Sequence, residues 1–596
     1  MVYRAPLDDL RFVMEHLLDA GQLAQLPRYG EFSMELAAAV LEEAGNFASG
    51  VLAPLNRKGD EIGATWTAEG VKAVPGFGAA YQQYVEAGWP LLGIDAELGG
   101  QGAPHALISA VEEIWYGANM ALMLCPMLTR GAIEALLLVG SEQLQKTYLP
   151  RMISGHWTGT MVLTEAQAGS DLAAIRTRAV ASGDHFLLSG QKIFISYGDH
   201  DMTENIVHLV LARIEGAPAG VKGLSLFLVP KYLLNADGTP GKRNDVQCVS
   251  IEHKLGIHAS PTCVLAFGSE GGASAYLVGE ANRGLECMFI MMNAARLSVG
   301  VQGIGLAECA LQQASAWAHS RVQGRAVGAP DATPRTINFH PDVRRMLLTM
   351  RAGVEAMRAL ALYAALHLDL ARAAKAPEAR SAALLRAELL VPIVKGFSTE
   401  YGTELVSMGL QLHGGMGYIE ETGIAQTLRD VRITTIYEGT TAIQANDLLG
   451  RKLGRDGGAA MLSLLKDADA ELQGLAGKAA GAGLAAALEG TREALNELRT
   501  ATEALLKWLP SAPAAAFAGS VPYLRLCGIV LGGWLMMRAA LIASEQLKKE
   551  GEKPYWRSKL QTAGHYAAQT LPQALALSRI VRSGGAGVAD ADPELL

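Results

Sequence analysis

A chain of 596 residues is too long for one ordinary domain, and with half of its residues hydrophobic it can fill several cores. Its formal net charge of −8, with no Lys/Arg run of five or more, argues against broad nucleic-acid binding. Cys125, Cys248, Cys263, Cys287, Cys309 and Cys527 stand without CxxC or Cys/His spacing, which predicts reduced thiols, a cytoplasmic setting and no metal site.

Leu7, Leu10, Phe12, Val13, Leu17 and Leu18 recur at helical spacing ahead of Pro27, predicting an accessory helix within residues 1–32. Asp8 and Asp9 stand where a leader peptide would be basic, so none is expected. Helical periods over 32–53, 71–87, 106–117, 122–139 and 141–153 predict a helical domain over 33–160. Between the second and third lies Gly99-Gly100-Gln101-Gly102. With no strand before it and no Lys-Ser/Thr after it, it is a poor phosphate loop.

From about Trp157 the period shortens. Residues 161–163, 185–188, 192–196, 206–211, 223–229 and 262–267 are β-rich runs between turn residues, predicting a small barrel or sandwich over 161–283. Helical periodicity returns at Gly284 and predicts helices over 285–320, 341–373, 382–408 and 441–452, with Val327–Pro334 as a solvent loop, in a domain over 284–455. Residues 456–596 read as a further Ala/Leu-rich helical domain of near-balanced charge, with helices near 459–476, 484–509, 521–550 and 556–580. Its uncharged stretch Cys527–Met537 is bounded by Arg525 and Arg538, well short of the ~20 apolar residues that cross a bilayer. A buried helix is expected there, with no transmembrane span and membrane contact not favoured.

The chemistry gathers between Arg429 and Gln444. Glu438 follows the largely β-branched run Val431–Ile436, and burial of that run would desolvate the carboxylate and raise its pKa toward that of a competent base. Gly439 lets the main chain approach a ligand, so that a nearby N–H can face a carbonyl, and Thr440 and Thr441 add hydroxyls. A lone loop Glu is ordinarily just solvated. Glu438 has companions. Met161–Asp171 ends a strand at Thr164 and turns through small residues, while in Gly190–Gly198 strand alternation sets Phe194 and Ser196 on one face. Arg296 and Arg321 carry guanidinium forks suited to phosphate. Gln411-Leu412-His413-Gly414-Gly415-Met416-Gly417 comes after a helix with glycines that admit an anion to backbone N–H groups, though a helix cap explains them equally well.

In this order, over about Glu35 to Arg455, these motifs resemble the acyl-CoA dehydrogenase family, whose catalytic signature Ile436-Tyr437-Glu438-Gly439-Thr440 is similar to. The resemblance implies a mainly α fold with an inserted β-domain: a helical N-terminal domain, a β-barrel middle domain and a four-helix bundle, here with an extra C-terminal helical domain. It implies FAD, with Leu163 and Thr164 at the flavin pyrimidine edge, Phe194 against the ring and Ser196 reaching N5. Arg321, Gln323, Gln411, Gly414, Gly415 and Thr440 complete the cofactor set, partly toward a neighbouring subunit, so a homo-oligomer, at least a dimer, is implied. Ser170, Arg296, Tyr437 and Gly439 fall on the acyl-CoA side. Glu438 is implied as the base that takes the α-proton while FAD takes the β-hydrogen as hydride, yielding a trans-2-enoyl-CoA, with electrons passed to an electron-transfer flavoprotein.

The chain departs from the family pattern at Ala166-Gln167, where Pro-Gly is usual, and at Ala442, where Gln is frequent. Its length, insertion and tail resemble long-tailed bacterial members of the 3-methylmercaptopropionyl-CoA dehydrogenase type. Leu122, Met123, Leu124, Met127, Met292 and Tyr437 are candidate acyl-pocket walls, and methionines accommodate several chain shapes. An acyl-CoA oxidase reoxidised by O₂ is the alternative within the fold. A DNA-associated flavoprotein of the same fold is disfavoured by the near-neutral tail.

Overall fold

The computed structural model describes residues 3–329, 333–585 and 587–596. Pro330, Asp331 and Ala332, inside the insertion predicted as a solvent loop, lie outside the described residues. The chain folds as two compact units, one comprising Asn46–Ala103 and Ala118–Arg296, the other Met1–Gly45, Pro104–Gly117 and Leu297–Leu596.

The first unit holds the strands. They are β1 (Thr65–Thr67), β2 (Gly70–Lys72), β3 (Trp157–Val162), β4 (Arg178–Ser182), β5 (His185–Ser196), β6 (Asn205–Ile214), β7 (Leu224–Pro230), β8 (Tyr232–Leu234), β9 (Pro240–Arg243), β10 (Val246–Ile251), β11 (Thr262–Phe267) and β12 (Ala273–Val278). The main sheet runs β10-β11-β5-β12-β7-β6-β3, with β4 pairing both β5 and β6. Val162, Leu188, Ile195, Val210, Phe227 and Leu265 form its core. The apolar central strands match the predicted runs. Strands β4, β10 and β12 have partly open faces, so their hydrophobic signal is diluted. Two predicted runs, 185–188 and 192–196, form the single strand β5 through Gly190, where a Cβ would meet Thr177 Oγ1 at 2.5 Å.

The helix predicted over 71–87 is corrected. Residues Gly70–Lys72 pair with Thr65–Thr67 as a hairpin, and the helix covers only Phe77–Glu86. Pro75 holds the preceding residue out of helical geometry, and Gly76 starts the helix at a positive φ of 100°. The helices predicted over 106–117 and 122–139 are continuous in His105–Val139 but for Asn119, at φ −161° and ψ 83°. Asn119 Oδ1 accepts from the Leu122 N–H at 3.1 Å, capping the second helical segment, and its Nδ2 donates to Leu52 O at 3.1 Å.

The second unit is helical. Helices Pro341–Ala373 and Pro377–Leu412 pack along each other, with Ile424–Arg432 and Thr441–Asn446 against the latter. Helix Gly284–Ser320 meets Pro377–Leu412 backbone to backbone: a Cβ at Gly402 would lie 2.7 Å from Gly303 O, and one at Gly300 would lie 2.7 Å from Val394. In the C-terminal extension, Ser520–Glu550 packs on both long helices, and Gly528 leaves room for the Phe397 ring. All of Cys527–Met537 is buried, as its composition predicts. The helix predicted over 556–580 is two, Pro554–His565 and Gln573–Arg582, joined by a wider turn. Among the described residues three helices, His105–Val139, Gly284–Ser320 and Ser520–Glu550, are long and apolar enough to cross a membrane, so the apolar run around Cys527–Met537 is longer than its bounding arginines suggested, and 67%, 72% and 89% of their apolar windows are buried within the protein.

Candidate active site

In the strand-bearing unit, β3 ends at Val162, two residues earlier than predicted, so Leu163 and Thr164 leave the sheet. They do not hang loose. Ile193 N–H donates to Thr164 O at 2.9 Å, and Lys192 Nζ donates to Leu163 O at 2.7 Å. Lys192 also pairs with Glu165 at 3.0 Å, both side chains being buried. The Glu165 carboxylate accepts from Thr177 N (2.9 Å), Thr177 Oγ1 (2.6 Å), Arg176 N (2.8 Å) and Gln167 Nε2 (2.6 Å). Burial alone would raise its pKa, but Lys192 and these donors outweigh burial and bring it to about 2. Burial pushes the Lys192 ammonium down to about 8 against the pull of Glu165. Ser170, on the same turn, is exposed.

Strand alternation does not run unbroken to Phe194. Lys192 faces Leu265 and Ile195 faces Cys263, so Ile193 and Phe194 together oppose Val264 in a β-bulge. Phe194 takes a φ of 61°, rare for a bulky side chain, and the residue is 59% exposed. Ser196, paired with Thr262, is half-buried, and Tyr197, also at positive φ, donates its hydroxyl to Ala121 O at 2.7 Å. Arg296 is buried, with Nη1 3.5 Å from Asn293 Oδ1. Leu122, Met123, Leu124 and Met127 are buried, and Met292 is partly so.

In the helical unit, the run Val431–Ile436 ends helix Ile424–Arg432 and continues as a single tight turn, Ile433–Thr435. Thr434 and Thr435 are buried, but Ile436 is half exposed, so the full burial envisaged for this run is not what forms. Glu438 comes next but one, at a φ of 57° and partly exposed. Gly439 has a φ of 93°, and a Cβ there would meet Gln444 Nε2 at 2.7 Å, so only glycine fits. Three buried side chains hold this turn. Lys395 Nζ donates to Gly439 O at 2.6 Å, Gln444 Nε2 donates to Glu438 O at 3.1 Å and Gly439 O at 3.2 Å, and the Tyr437 hydroxyl donates to Gln302 Oε1. Burial first, then the Glu438 and Asp430 charges, push the Tyr437 phenol far up, so it stays neutral.

Thr440 caps helix Thr441–Asn446 by accepting from Ile443 N at 3.4 Å, which leaves its O–H to donate elsewhere, and Thr441 donates to Glu400 at 2.5 Å. Arg321 and Gln323 lie exposed on a strand-like segment paired with Arg335–Ile337. Gln411, in the last turn of helix Pro377–Leu412, and Gly414 and Gly415 just after it are exposed, with open space where a Cβ would stand on either glycine. The turn is anchored by His413, whose Nδ1 bonds Gly409 O at 2.7 Å while its ring stacks on Trp317.

Sequence reasoning named side chains along these turns and missed the buried ones that hold them: Lys192, Glu165, Gln302, Lys395 and Gln444. The first two carried a signal, a base and an acid inside the strand-edge motifs Gly190–Gly198 and Met161–Asp171. Lys395 and Gln302 carried only their place on otherwise apolar helix faces.

The donor set suits a flavin dinucleotide: a presented aromatic ring and hydroxyls beside a rigid turn, an exposed guanidinium with an amide two residues on, and glycine turns open to an anion. Among the described residues no three His, Cys, Asp or Glu side chains gather as metal ligands. The sheet-bearing unit and the helical unit each carry groups of the kinds that flavin-dependent oxidoreductases use. Family descriptions for the acyl-CoA dehydrogenase N-terminal domain, middle domain and C-terminal domain match residues 35–156, 160–269 and 282–453, and an acetyl-CoA dehydrogenase C-terminal-like domain matches 464–592. The chain is 48% identical to the 3-methylmercaptopropionyl-CoA dehydrogenase of Ruegeria pomeroyi over 98% of its own length and 99% of that protein. It is 36% identical to the broad-specificity linear acyl-CoA dehydrogenase FadE5 of Mycobacterium tuberculosis, over 96% of each chain. The Caenorhabditis elegans ACDH-11 structure, solved with C11-CoA, superposes with a TM-score of 0.75 over 96% of this chain and 92% of that one, at 23% identity. The chain therefore belongs to the acyl-CoA dehydrogenase family of FAD-dependent oxidoreductases.

Proposed function

We propose that the protein dehydrogenates an acyl-CoA to its trans-2-enoyl-CoA with Glu438 as the base. The observation carrying this reading is the conformation of the Tyr437-Glu438-Gly439 turn: a carboxylate held in the left-handed region, partly exposed, on main chain tied down by buried donors. Such strain is kept where the surroundings over-determine it, and functional groups are where it collects. Leu163, Thr164, Phe194 and Ser196 would hold the isoalloxazine, and Arg321, Gln323, Gln411, Gly414, Gly415 and Thr440 would hold the phosphates and adenosine. These last act across two protomers of a homo-oligomer. When bound, FAD supplies the acceptor for the hydride that leaves the β-carbon.

The protein's own part is acid–base work. The Glu438 carboxylate removes the α-proton, the electron pair of that C–H bond becomes the new double bond, and the Glu438 N–H donates to the thioester oxygen as charge builds there. General-base catalysis and oxyanion donors each contribute roughly 10² to 10⁴ in rate. The neutral Tyr437 and Gly439 line the approach, while Ser170 and Arg296 serve the CoA moiety. Electrons then leave to an electron-transfer flavoprotein. The substrate class is taken from the relative of 48% identity, a methylthioacyl-CoA of the 3-methylmercaptopropionyl type.

Anaerobic mixing with acyl-CoA tests the reading. Glu438→Gln should keep the yellow cofactor and fail to bleach, and bleaching at the wild-type rate would remove Glu438 from the chemistry. Peroxide released during aerobic turnover would replace the electron-transfer flavoprotein with O₂.

A further inference from the structure

We propose that Lys395 is a positioning residue for Glu438, setting both the backbone conformation and the charge state of the base. This rests on Glu438 being the base and names the group that makes it one. Lys395 is fully buried in helix Pro377–Leu412, yet its ammonium spends a 2.6 Å hydrogen bond on the carbonyl of the residue after Glu438. A buried ammonium is costly to desolvate, and an apolar residue would fill the helix at less cost.

The geometry shows what the lysine does. A non-glycine residue in the left-handed region is disfavoured by about 1–2 kcal/mol. In that conformation the carbonyls of Glu438 and Gly439 both come within reach of Gln444 Nε2, and Lys395 takes the second. Without Lys395 the Gly439 carbonyl loses that donor and Gln444 is left bridging both acceptors, so the left-handed set of Glu438 is held less tightly. The carboxylate then points elsewhere. The positive charge also favours ionised Glu438, the form that accepts a proton. Ionisable groups around the turn include neutral Tyr437 and Asp430, Glu400 bonded to Thr441, and Arg432 bonded to Thr435.

The test uses holoenzyme of wild type, Lys395→Met, Lys395→Gln and Glu438→Gln, measured for visible flavin spectrum, acyl-CoA affinity, anaerobic bleaching rate and its pH profile. Lys395→Met should keep FAD and bind acyl-CoA nearly as tightly, but bleach roughly 10²-fold more slowly, the loss that a misplacement of about 1 Å brings. The acid limb of its profile should move to higher pH, because a favourable charge is gone. Lys395→Gln retains a donor without the charge. It should recover part of the rate while keeping the shifted limb, and it carries the test if Lys395→Met does not fold. Wild-type bleaching and an unmoved limb in the Lys395 variants would overturn the proposal, as would a rate loss matched by lost FAD with the limb unmoved. If instead Glu438→Gln bleaches normally, the base assignment itself fails.

Discussion

Two buried ion-bearing side chains, Lys192 and Glu165, decide how the turn after β3 behaves with pH. Glu165, lowered from an ordinary 4.5 to about 2, binds fewer protons when folded than when unfolded. Its contribution to stability is therefore whole above about pH 4.5 and is lost as pH falls through the interval toward 2. Thermal unfolding measured across that interval should show a fall in melting temperature that Glu165→Gln flattens. The same residue explains a limit of sequence reading. Thr164 and Ser170 were legible because hydroxyls beside a turn are recognisable chemistry. That the turn hangs from Lys192 depends on a partner 27 residues away in the sequence, which no local pattern reports.

Whole elements owe their form to single interruptions. The helix His105–Val139 changes direction at Asn119, whose side chain caps one segment and grips Leu52 O. Asn119→Ala removes both bonds and should destabilise the protein by about 1–2 kcal/mol, the usual worth of such a cap, read from the shift in urea midpoint. Phe194 shows the same principle in a strand. Alternation predicts its side, but the bulge turns the ring outward and releases the Ile193 N–H to Thr164 O. Bulges and caps depend on what lies opposite, so periodicity finds the element and misses the irregularity that makes it useful.

On the scale of the whole chain, one charge cluster draws distant segments of the helical unit together. Arg358, fully buried in Pro341–Ala373, donates to Glu113 at 2.8 Å, to Glu308 at 2.9 Å and to Asp9 near the N-terminus. Lys559 of the C-terminal extension meets the same Asp9 and lies 3.3 Å from Glu355. Arg358→Met would leave Glu113 and Glu308 buried without their cation and should cost about 3–5 kcal/mol in denaturant unfolding. A change under about 1 kcal/mol, the range of an exposed pair, would show the cluster to be solvated instead.

The succession of helical, β-rich and helical domains, the buried Cys527–Met537 segment and the ordered motifs from Thr164 to Glu438 were written in the sequence. Each rests on local periodicity or on residue chemistry that neighbours cannot conceal. Tertiary structure alone decided the left-handed set of Glu438, the hold of Lys395 and Gln444 on its carbonyls, and the Lys192–Glu165 strut beneath Thr164. Those depend on buried polar groups finding partners far along the chain, and the cost of leaving such groups unpaired is what fixes the geometry.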